Sequence, residues 1–462
     1  MNYRLKLALS CILAAAVTAP SYGANLLDVY QRAQQADPQI READATRLAA
    51  REAKPQAWAA LLPGITGAAS KGRVDTNSAG SQFSGIFDPG SGAPIISPPQ
   101  GTDSSKTSTG WSISLQQTIF RWDQWETLKR ADAQVAQAEA AYRAAEQDLI
   151  VRVITRYFAV LYAKDIVDTN EAALTAFSRQ LEQNEKRFEV GLIAITDVQE
   201  SKAQRDRASA NLIDAKRTLA TSHELLRELT GEDFETLAAP GDDMPLNPPT
   251  PAAIDQWVTT AMDQNLSLIA ARLAAEIAAK NVSIARSGHY PSLSLSAQHS
   301  DSSSDTATTV PRGTYDTNGT VKSDSISVNL NVPIFAGGGT QSVVRQQVYT
   351  QRAARERVER STRETERSVR DNFLGVMSNI SRVQALKQAL ESSRTALQAT
   401  TAGFEVGTRT TVDVLDSQRT LYSAQADYYK SRYDYLQTRI QLELAAGLLS
   451  SEDLVTINGY LK

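Results

Sequence analysis

Two periodicities of apolar residues run along this chain, and each returns in the second half in the same order. From Leu26 to Leu62 the spacing is helical, with Asp37-Pro38 as an internal break and Leu62-Pro63-Gly64 as a sharp end. Residues 64 to 118 are rich in Gly, Ser, Thr, Asp and Pro, with loop signals at Asp88-Pro89-Gly90 and Ser97-Pro98-Pro99. This stretch closes on Trp111-Ser112-Ile113-Ser114-Leu115, where strict alternation predicts a strand with one wet face. A helical pattern begins after Ile119-Phe120 and continues to about Glu189. At 1.5 Å per residue it extends about 100 Å, whereas globular helices average about 11–12 residues. A turn follows at Val190-Gly191, then a returning helix from Thr196 to about Thr230.

A Pro-rich polar connector, residues 231–251, separates the halves, and the order then restarts. Helical spacing from Ala252 to Gly288 ends at Tyr290-Pro291, which matches Leu62-Pro63 at an offset of 291 − 63 = 228. Leu293, Leu295 and Ala297 alternate with serines, a Ser/Thr/Asp/Gly-rich loop is expected over 300–324, and Ile326 to Ile334 alternate again. A second very long helix is predicted from Gly339 to Glu405. In the last helix Tyr422, Ala426, Tyr429, Tyr433, Leu436 and Ile440 form a heptad seam. The turn Phe404-Glu405-Val406-Gly407 repeats Phe188-Glu189-Val190-Gly191 at an offset of 404 − 188 = 216, which holds through Asp413 and Asp197. The organisation read from this is a first structural repeat over 24–230, the connector, a second repeat over 252–447 and a tail over 448–462.

Each repeat supplies two alternating strands, four per chain. Four strands cannot close a barrel, and open sheet edges are not tolerated in hydrocarbon. Three chains would supply 3 × 4 = 12 strands, an even number in the usual range for outer-membrane barrels. The segments 73–108 and 300–324 would then be long external loops. Helices of about 100 Å exceed the roughly 30 Å hydrocarbon core and must project away from it, all from one end. The expected fold is thus an α+β membrane protein, internally duplicated, whose 12-stranded trimeric barrel continues into a long helical barrel. A soluble exported protein with two hairpins is the competing fold.

Composition narrows the function. The formal net charge of −4 excludes the basic patch that a nucleic-acid partner needs. No window reaches 18 consecutive apolar residues, which excludes a membrane-spanning helix beyond the leader. Arg4 and Lys6 precede the apolar run Leu7 to Val17 and the small-residue stretch to Gly23, a secretory signal peptide over 1–23 with cleavage after Gly23 or Ala24. The single cysteine, Cys11, lies inside it, so the exported chain relies on packing or assembly rather than disulfides. His223, His289 and His299 are scattered, no nucleophile motif or metal cluster is present, and Gly337-Gly338-Gly339 lacks the Lys-Ser/Thr of a phosphate loop. These readings exclude an enzyme and call for neither a cofactor nor a metal.

With these features in place, the chain resembles the TolC family of trimeric outer-membrane exit ducts of Gram-negative efflux and secretion systems. The likeness runs from Asn25-Leu26-Leu27-Asp28-Val29-Tyr30 to about Leu449. It is carried by Val190 to Gln199, Val406 to Asp416, Pro333-Ile334-Phe335-Ala336-Gly337-Gly338 and Asn265-Leu266-Ser267-Leu268. The resemblance implies a homotrimer in the outer membrane, in contact with its lipid, with a periplasmic helical tunnel and an equatorial domain built from connector and tail. It implies a periplasmic adaptor and an inner-membrane pump of the RND, ABC or MFS class as partners, and passive export of drugs, toxins or secreted proteins. It places Asp413 and Asp416 on acidic rings at the entrance, and Arg409, Asp197, Thr196 and Gln180 in the network that latches it. Where the compared family member has tyrosine, this chain has Phe404, which cannot donate a hydroxyl hydrogen bond. Closure would then lean on a bidentate Arg409–Asp197 pair.

Asp413 and Asp416, three apart, share one face of a helix's first turn, where acids are also favoured simply by the helix dipole. In a trimer they would make 3 × 2 = 6 carboxylates about one axis, an arrangement that selects cations. Gly191 and Gly407 permit tight turns, and the resemblance implies that with Val190, Leu192, Val406 and Thr408 they form tips to which an adaptor would dock. The competing functional class is an adhesive trimeric coiled-coil surface protein, which would give no conductance in a lipid bilayer.

Overall fold

A computed structural model describes residues 24–80, 83–87, 89–91, 94–96, 100–241, 244–310 and 313–461. The leader over 1–23 with Cys11 lies outside them, as do Asp88 and Ser97-Pro98-Pro99. In chain order the elements are α1 (Leu26–Ala36), α2 (Pro38–Arg51), α3 (Ala53–Ala59), β1 (Gly64–Gly80), β2 (Phe83–Phe87), β3 (Pro94–Ile96) and β4 (Gln100–Phe120). They continue with α4 (Trp122–Glu189), α5 (Ile195–Thr230), α6 (Ile254–Gln264) and α7 (Leu266–Arg286). The rest are β5 (Ser292–Val310), β6 (Gly313–Asn331), α8 (Gly339–Glu405), α9 (Thr411–Ala446) and α10 (Ser451–Asn458). Two compact units emerge: Arg47–Glu139 with Ala270–Val358, and the described residues up to Thr46 with Ala140–Ile269 and those from Glu359 onward.

In the first unit β1, β4, β5 and β6 form one antiparallel sheet in the order β1-β4-β5-β6. Pairing runs without a break from Ser292↔Asn331 to Val310↔Gly313, so most of 300–324 is strand rather than the external loop expected there. Likewise Arg73 to Gly80 lie in β1 and Gln100 to Ser108 in β4, and the small β2–β3 pair occupies part of what remains of 73–108. Serine, aspartate and glycine signalled a loop, but a backbone ladder tolerates them where both faces are wet. Polar cross-strand pairs add to it: His299 Nδ1 lies 2.5 Å from Asp324 Oδ1, and the Thr309 and Thr314 hydroxyls lie 3.1 Å apart. At 19 residues each, β5 and β6 reach about 60 Å at roughly 3.3 Å per residue, well beyond an apolar band of about 25 Å.

In the second unit a core is built where α4 brings Leu149, Val153, Ile154, Tyr157 and Phe158 against Leu26 and Val29 of α1, Leu226 of α5 and Leu436 and Ile440 of α9. Two joints repeat the offset of 228. Asp37 ends α1 and its carboxylate accepts the Gln39 N–H at 3.1 Å; Asn265, at 37 + 228, ends α6 and its amide oxygen accepts the Leu268 N–H at 3.0 Å. Each side chain satisfies a backbone donor that a helix start leaves unpaired.

The connector has almost no regular structure of its own, so side chains from the helices satisfy its carbonyls. The Tyr157 hydroxyl donates to Ala238 O at 2.7 Å, the Arg432 guanidinium to Pro240 O at 2.9 Å, and the Trp257 indole to Pro251 O at 2.7 Å. Gly241 N donates to Tyr460 O at 3.2 Å, joining the connector to the chain after α10.

Beside this junction Glu443 is half-buried, and its desolvation together with the neighbouring Asp453 carboxyl pushes its pKa up to about 7, against the pull of Arg439. A folded-state pKa above the unfolded value gives stability that is present at low pH and lost as pH rises through the folded value. Glu443→Gln is therefore expected to raise the melting temperature at pH 8 and to leave it nearly unchanged at pH 4. Equal shifts at both pH values in thermal denaturation would count against it.

Candidate functional site

Strict alternation gives the four-stranded sheet two chemically distinct faces. One carries Ile65, Trp111, Ile113, Leu115, Leu293, Leu295, Ile326, Val328 and Leu330, the composition of a lipid-facing band. The other carries Thr66, Ser112, Ser114, Gln116, Ser294, Ser296, Gln298, Ser327 and Asn329. Among the described residues of these strands Lys106 is the one charged side chain on that second face. Hydroxyls and amides there bond one another, as Ser296 with Ser327 at 2.7 Å and Thr66 with Ser114 at 2.7 Å. Such a wall can hold water and pass polar solutes without selecting for charge.

The two turns are built by one device. After α4, Gly191 adopts φ +76°, its N–H donates to Phe188 O at 2.8 Å, and the Leu192 N–H donates to Arg187 O at 2.8 Å. After α8, Gly407 adopts φ +82°, its N–H donates to Phe404 O at 3.2 Å, and the Thr408 N–H donates to Gly403 O at 2.8 Å. Both are Schellman ends, which need a left-handed residue at the glycine position. Val190, Leu192 and Val406 are exposed by 69%, 73% and 76%, so both turns present bare apolar tips.

The next helix of each turn is started by an aspartate. The Asp413 carboxylate accepts the Thr410 N–H at 2.8 Å and the Thr410 hydroxyl at 2.9 Å, while the Asp413 N–H donates to the Thr410 hydroxyl at 3.2 Å. The backbone bond from Thr410 is the chief cause that holds Asp413 below the usual carboxylate range. The Asp197 carboxylate accepts the Ala194 N–H at 3.3 Å, a weaker cap because Ala194 has no hydroxyl to return. Asp416 pairs with Arg419 at 3.0 Å on the exposed surface of α9.

The structure brings Gln180 and Asp197 together through two residues that the sequence pattern gave no reason to single out. The Gln180 amide donates to Asn184 at 3.1 Å, the Asn184 amide donates to the Ser201 hydroxyl at 2.6 Å, and that hydroxyl donates to Asp197 O at 2.8 Å. Asn184 and Ser201 are fully buried. Their counterparts at an offset of 216, Thr400 and Ser417, bond hydroxyl to hydroxyl at 3.2 Å. The signal for them is the repeat itself, once buried polar positions are compared between copies. Thr196 is exposed, and among the described residues Arg409 makes no ion pair with Asp197 in the single chain. Phe404 is buried, with the Arg187 guanidinium 4.4 Å from its ring centroid.

Above the turns, α4, α5 and α9 enclose a groove of about 680 Å³ whose walls include Ala163, Ala173, Ala208, Ala215 and Ser423. Tyr422 of α9 ties the two hairpins there, donating to Ala172 O at 3.2 Å and meeting the Phe177 ring edge-on at 6.3 Å.

An antiparallel four-stranded sheet with one apolar and one hydrophilic face, joined in one chain to paired long helices, defines the protomer of an outer-membrane channel. The model of the outer membrane efflux protein family matches residues 29–232 and 257–448, and the chain belongs to that family. It is similar to outer membrane protein TolC of Vibrio cholerae, 35% identical over 443 residues that cover 95% of this chain and 94% of that one. Alkaline protease secretion protein AprF of Pseudomonas aeruginosa is 28% identical over 436 residues, covering 94% and 86%. The crystal structure of the Campylobacter jejuni CmeC outer membrane channel superposes with a TM-score of 0.71 at 16% identity, covering 95% of this chain and 90% of that chain. The fold is therefore that of a trimeric 12-stranded barrel protomer, and the chain is an outer-membrane channel for efflux or secretion rather than an enzyme.

Replacing Asn184 by alanine removes the middle of a buried polar relay: the Gln180 amide loses its acceptor, and the Ser201 hydroxyl loses its donor while still donating to Asp197 O. Unpaired buried groups cost about 1–3 kcal/mol, so Asn184→Ala is expected to speed hydrogen exchange at the 188–200 turn by roughly 5- to 150-fold. Unchanged exchange would show the relay to be dispensable.

Proposed function

We propose that this chain is the passive exit duct of an export assembly, closed at the turns 188–200 and 404–416 and opened by a periplasmic adaptor coupled to an inner-membrane pump of the RND, ABC or MFS class. The observation that carries the reading is the division of labour between the sheet and the turns. The hydrophilic sheet face is a nearly uncharged wall, whereas the turns carry the acids. Discrimination by charge then belongs to the turns, where Asp413 and Asp416 of three protomers form carboxylate rings. The residue sets 24–230 and 252–447 act as paired repeats, with the connector 231–251 and the tail 448–462 as a collar around them.

Arg409 supports a latch between protomers. Its guanidinium is free of ion pairs among the described residues of its own chain, at an exposed position, and Asp197 of the partner subunit is the acid proposed to receive it. An exposed pair is worth only about 0–1 kcal/mol, so a closed state needs the pair in all three protomers together with other contacts. The apolar tips and the small-residue groove between α4, α5 and α9 supply a surface that a helical hairpin of the adaptor can approach closely.

Planar-bilayer recording tests both parts. Asp413→Asn with Asp416→Asn, which keeps an oxygen acceptor for the helix cap, is expected to abolish cation preference; a reversal potential equal to wild type would refute the rings. Arg409→Ser is expected to raise single-channel conductance, and conductance that stays at the wild-type level counts against the latch.

A further inference from the structure

The two turns are copies in backbone only. At an offset of 216, Phe188 corresponds to Phe404 and Arg187 to Gly403. Phe188 is 41% exposed, whereas Phe404 is 7% exposed. Over the face of Phe404 lies the guanidinium of Arg187, 4.4 Å from the ring centroid. The reverse contact cannot form, because the residue that would reach back toward Phe188 is the glycine. Gly403 has its own reason to lack a side chain: a Cβ there would stand 2.8 Å from Cγ of Arg409, so glycine is what lets the Arg409 stem lie against α8.

We propose that Arg187 is a positioning residue of the gate, a clamp reaching from the end of α4 to the end of α8 that holds the second turn closed through the face of Phe404. The inference rests on the gate reading above and adds to it the contact that replaces a hydroxyl bond at residue 404. Guanidinium groups stack on aromatic faces through both charge and planarity. Among the described residues Arg187 has no ion pair, so the ring is the partner its charge finds. Because α4 belongs to one hairpin and α8 to the other, the second turn cannot swing away from the first without unstacking the pair. One such contact shifts an equilibrium by about two- to fivefold, and three acting together shift it by roughly 10- to 100-fold.

Single-channel recording of the full-length trimer provides the test. Arg187→Met and Phe404→Leu are each expected to raise open-state occupancy about tenfold or more, the double variant no further than either alone, and Phe404→Tyr, which keeps the ring face, to retain closure. Wild-type gating in Arg187→Met, or effects of the two substitutions that multiply in the double variant, would overturn the clamp. If Arg187→Met does not assemble, equal occupancy in Phe404→Leu and Phe404→Tyr overturns it instead. Should the Asp413/Asp416 and Arg409 variants change conductance while the Arg187 and Phe404 variants do not, the gate stands and the clamp falls. Should none change it, the gate reading fails and the clamp with it.

Discussion

A backbone N–H or C=O at an unpaired strand edge has no partner in hydrocarbon, and that requirement shapes the sheet and the assembly alike. In this chain β1 and β6 are the outer strands, 17 and 19 residues long, and each leaves one edge open. Neither edge is blunted by a bulge, since pairing is continuous from end to end. Only the edges of other copies satisfy them, so the trimer is a condition of the barrel rather than an elaboration of it. Once the sheet closes, its two faces sort themselves: Leu293, Leu295, Val328 and Leu330 meet lipid, and the serine and asparagine positions between them enclose water.

The helical unit solves the complementary problem. Its connector, from Gly231 to Pro251, would be a string of unsatisfied carbonyls if it lay against the helices by itself. Tyr157, Arg432, Tyr435 and Trp257 each turn a polar tip to it while burying an apolar body, so one side chain does the work of core and of hydrogen-bond partner. This explains why large aromatic residues concentrate in a chain region otherwise built from alanine and small polar residues.

Much of the fold was legible because periodicity survives burial. The long helices, the break at Asp37 and both glycine turns follow from apolar spacing, cap chemistry and the offset of 216. The stretch from Ala252 to Gly288, expected as one helix, is instead divided at Asn265 by a cap that apolar spacing does not mark. Strand ends were not legible beyond His299 and Asp324, because a ladder that leaves both faces in water imposes no alternation on its side chains. At the turns, Asp413 and Asp416 stood out by their spacing, while Asp197, Arg409 and Gln180 were marked by the family resemblance. Asn184, Ser201 and Arg187 did not stand out, because their roles come from what faces them across the hairpins, and a linear pattern carries no record of that. Phe404 shows the limit most plainly: read alone it is a lost hydroxyl, and in three dimensions it is a ring beneath a guanidinium.

The length of β5 and β6 has a consequence at the cell surface. Strands that overrun the apolar band carry a hydroxyl-rich rim, from Ser300 through Val310 and back from Gly313 to Ser323, out into the surroundings of the cell. Because backbone pairing holds that rim, its side chains are under little pressure to stay as they are. A substitution in this collar leaves the ladder's N–H and C=O groups paired, whereas one on the apolar or hydroxyl-lined stretch nearer the helices changes what that face meets.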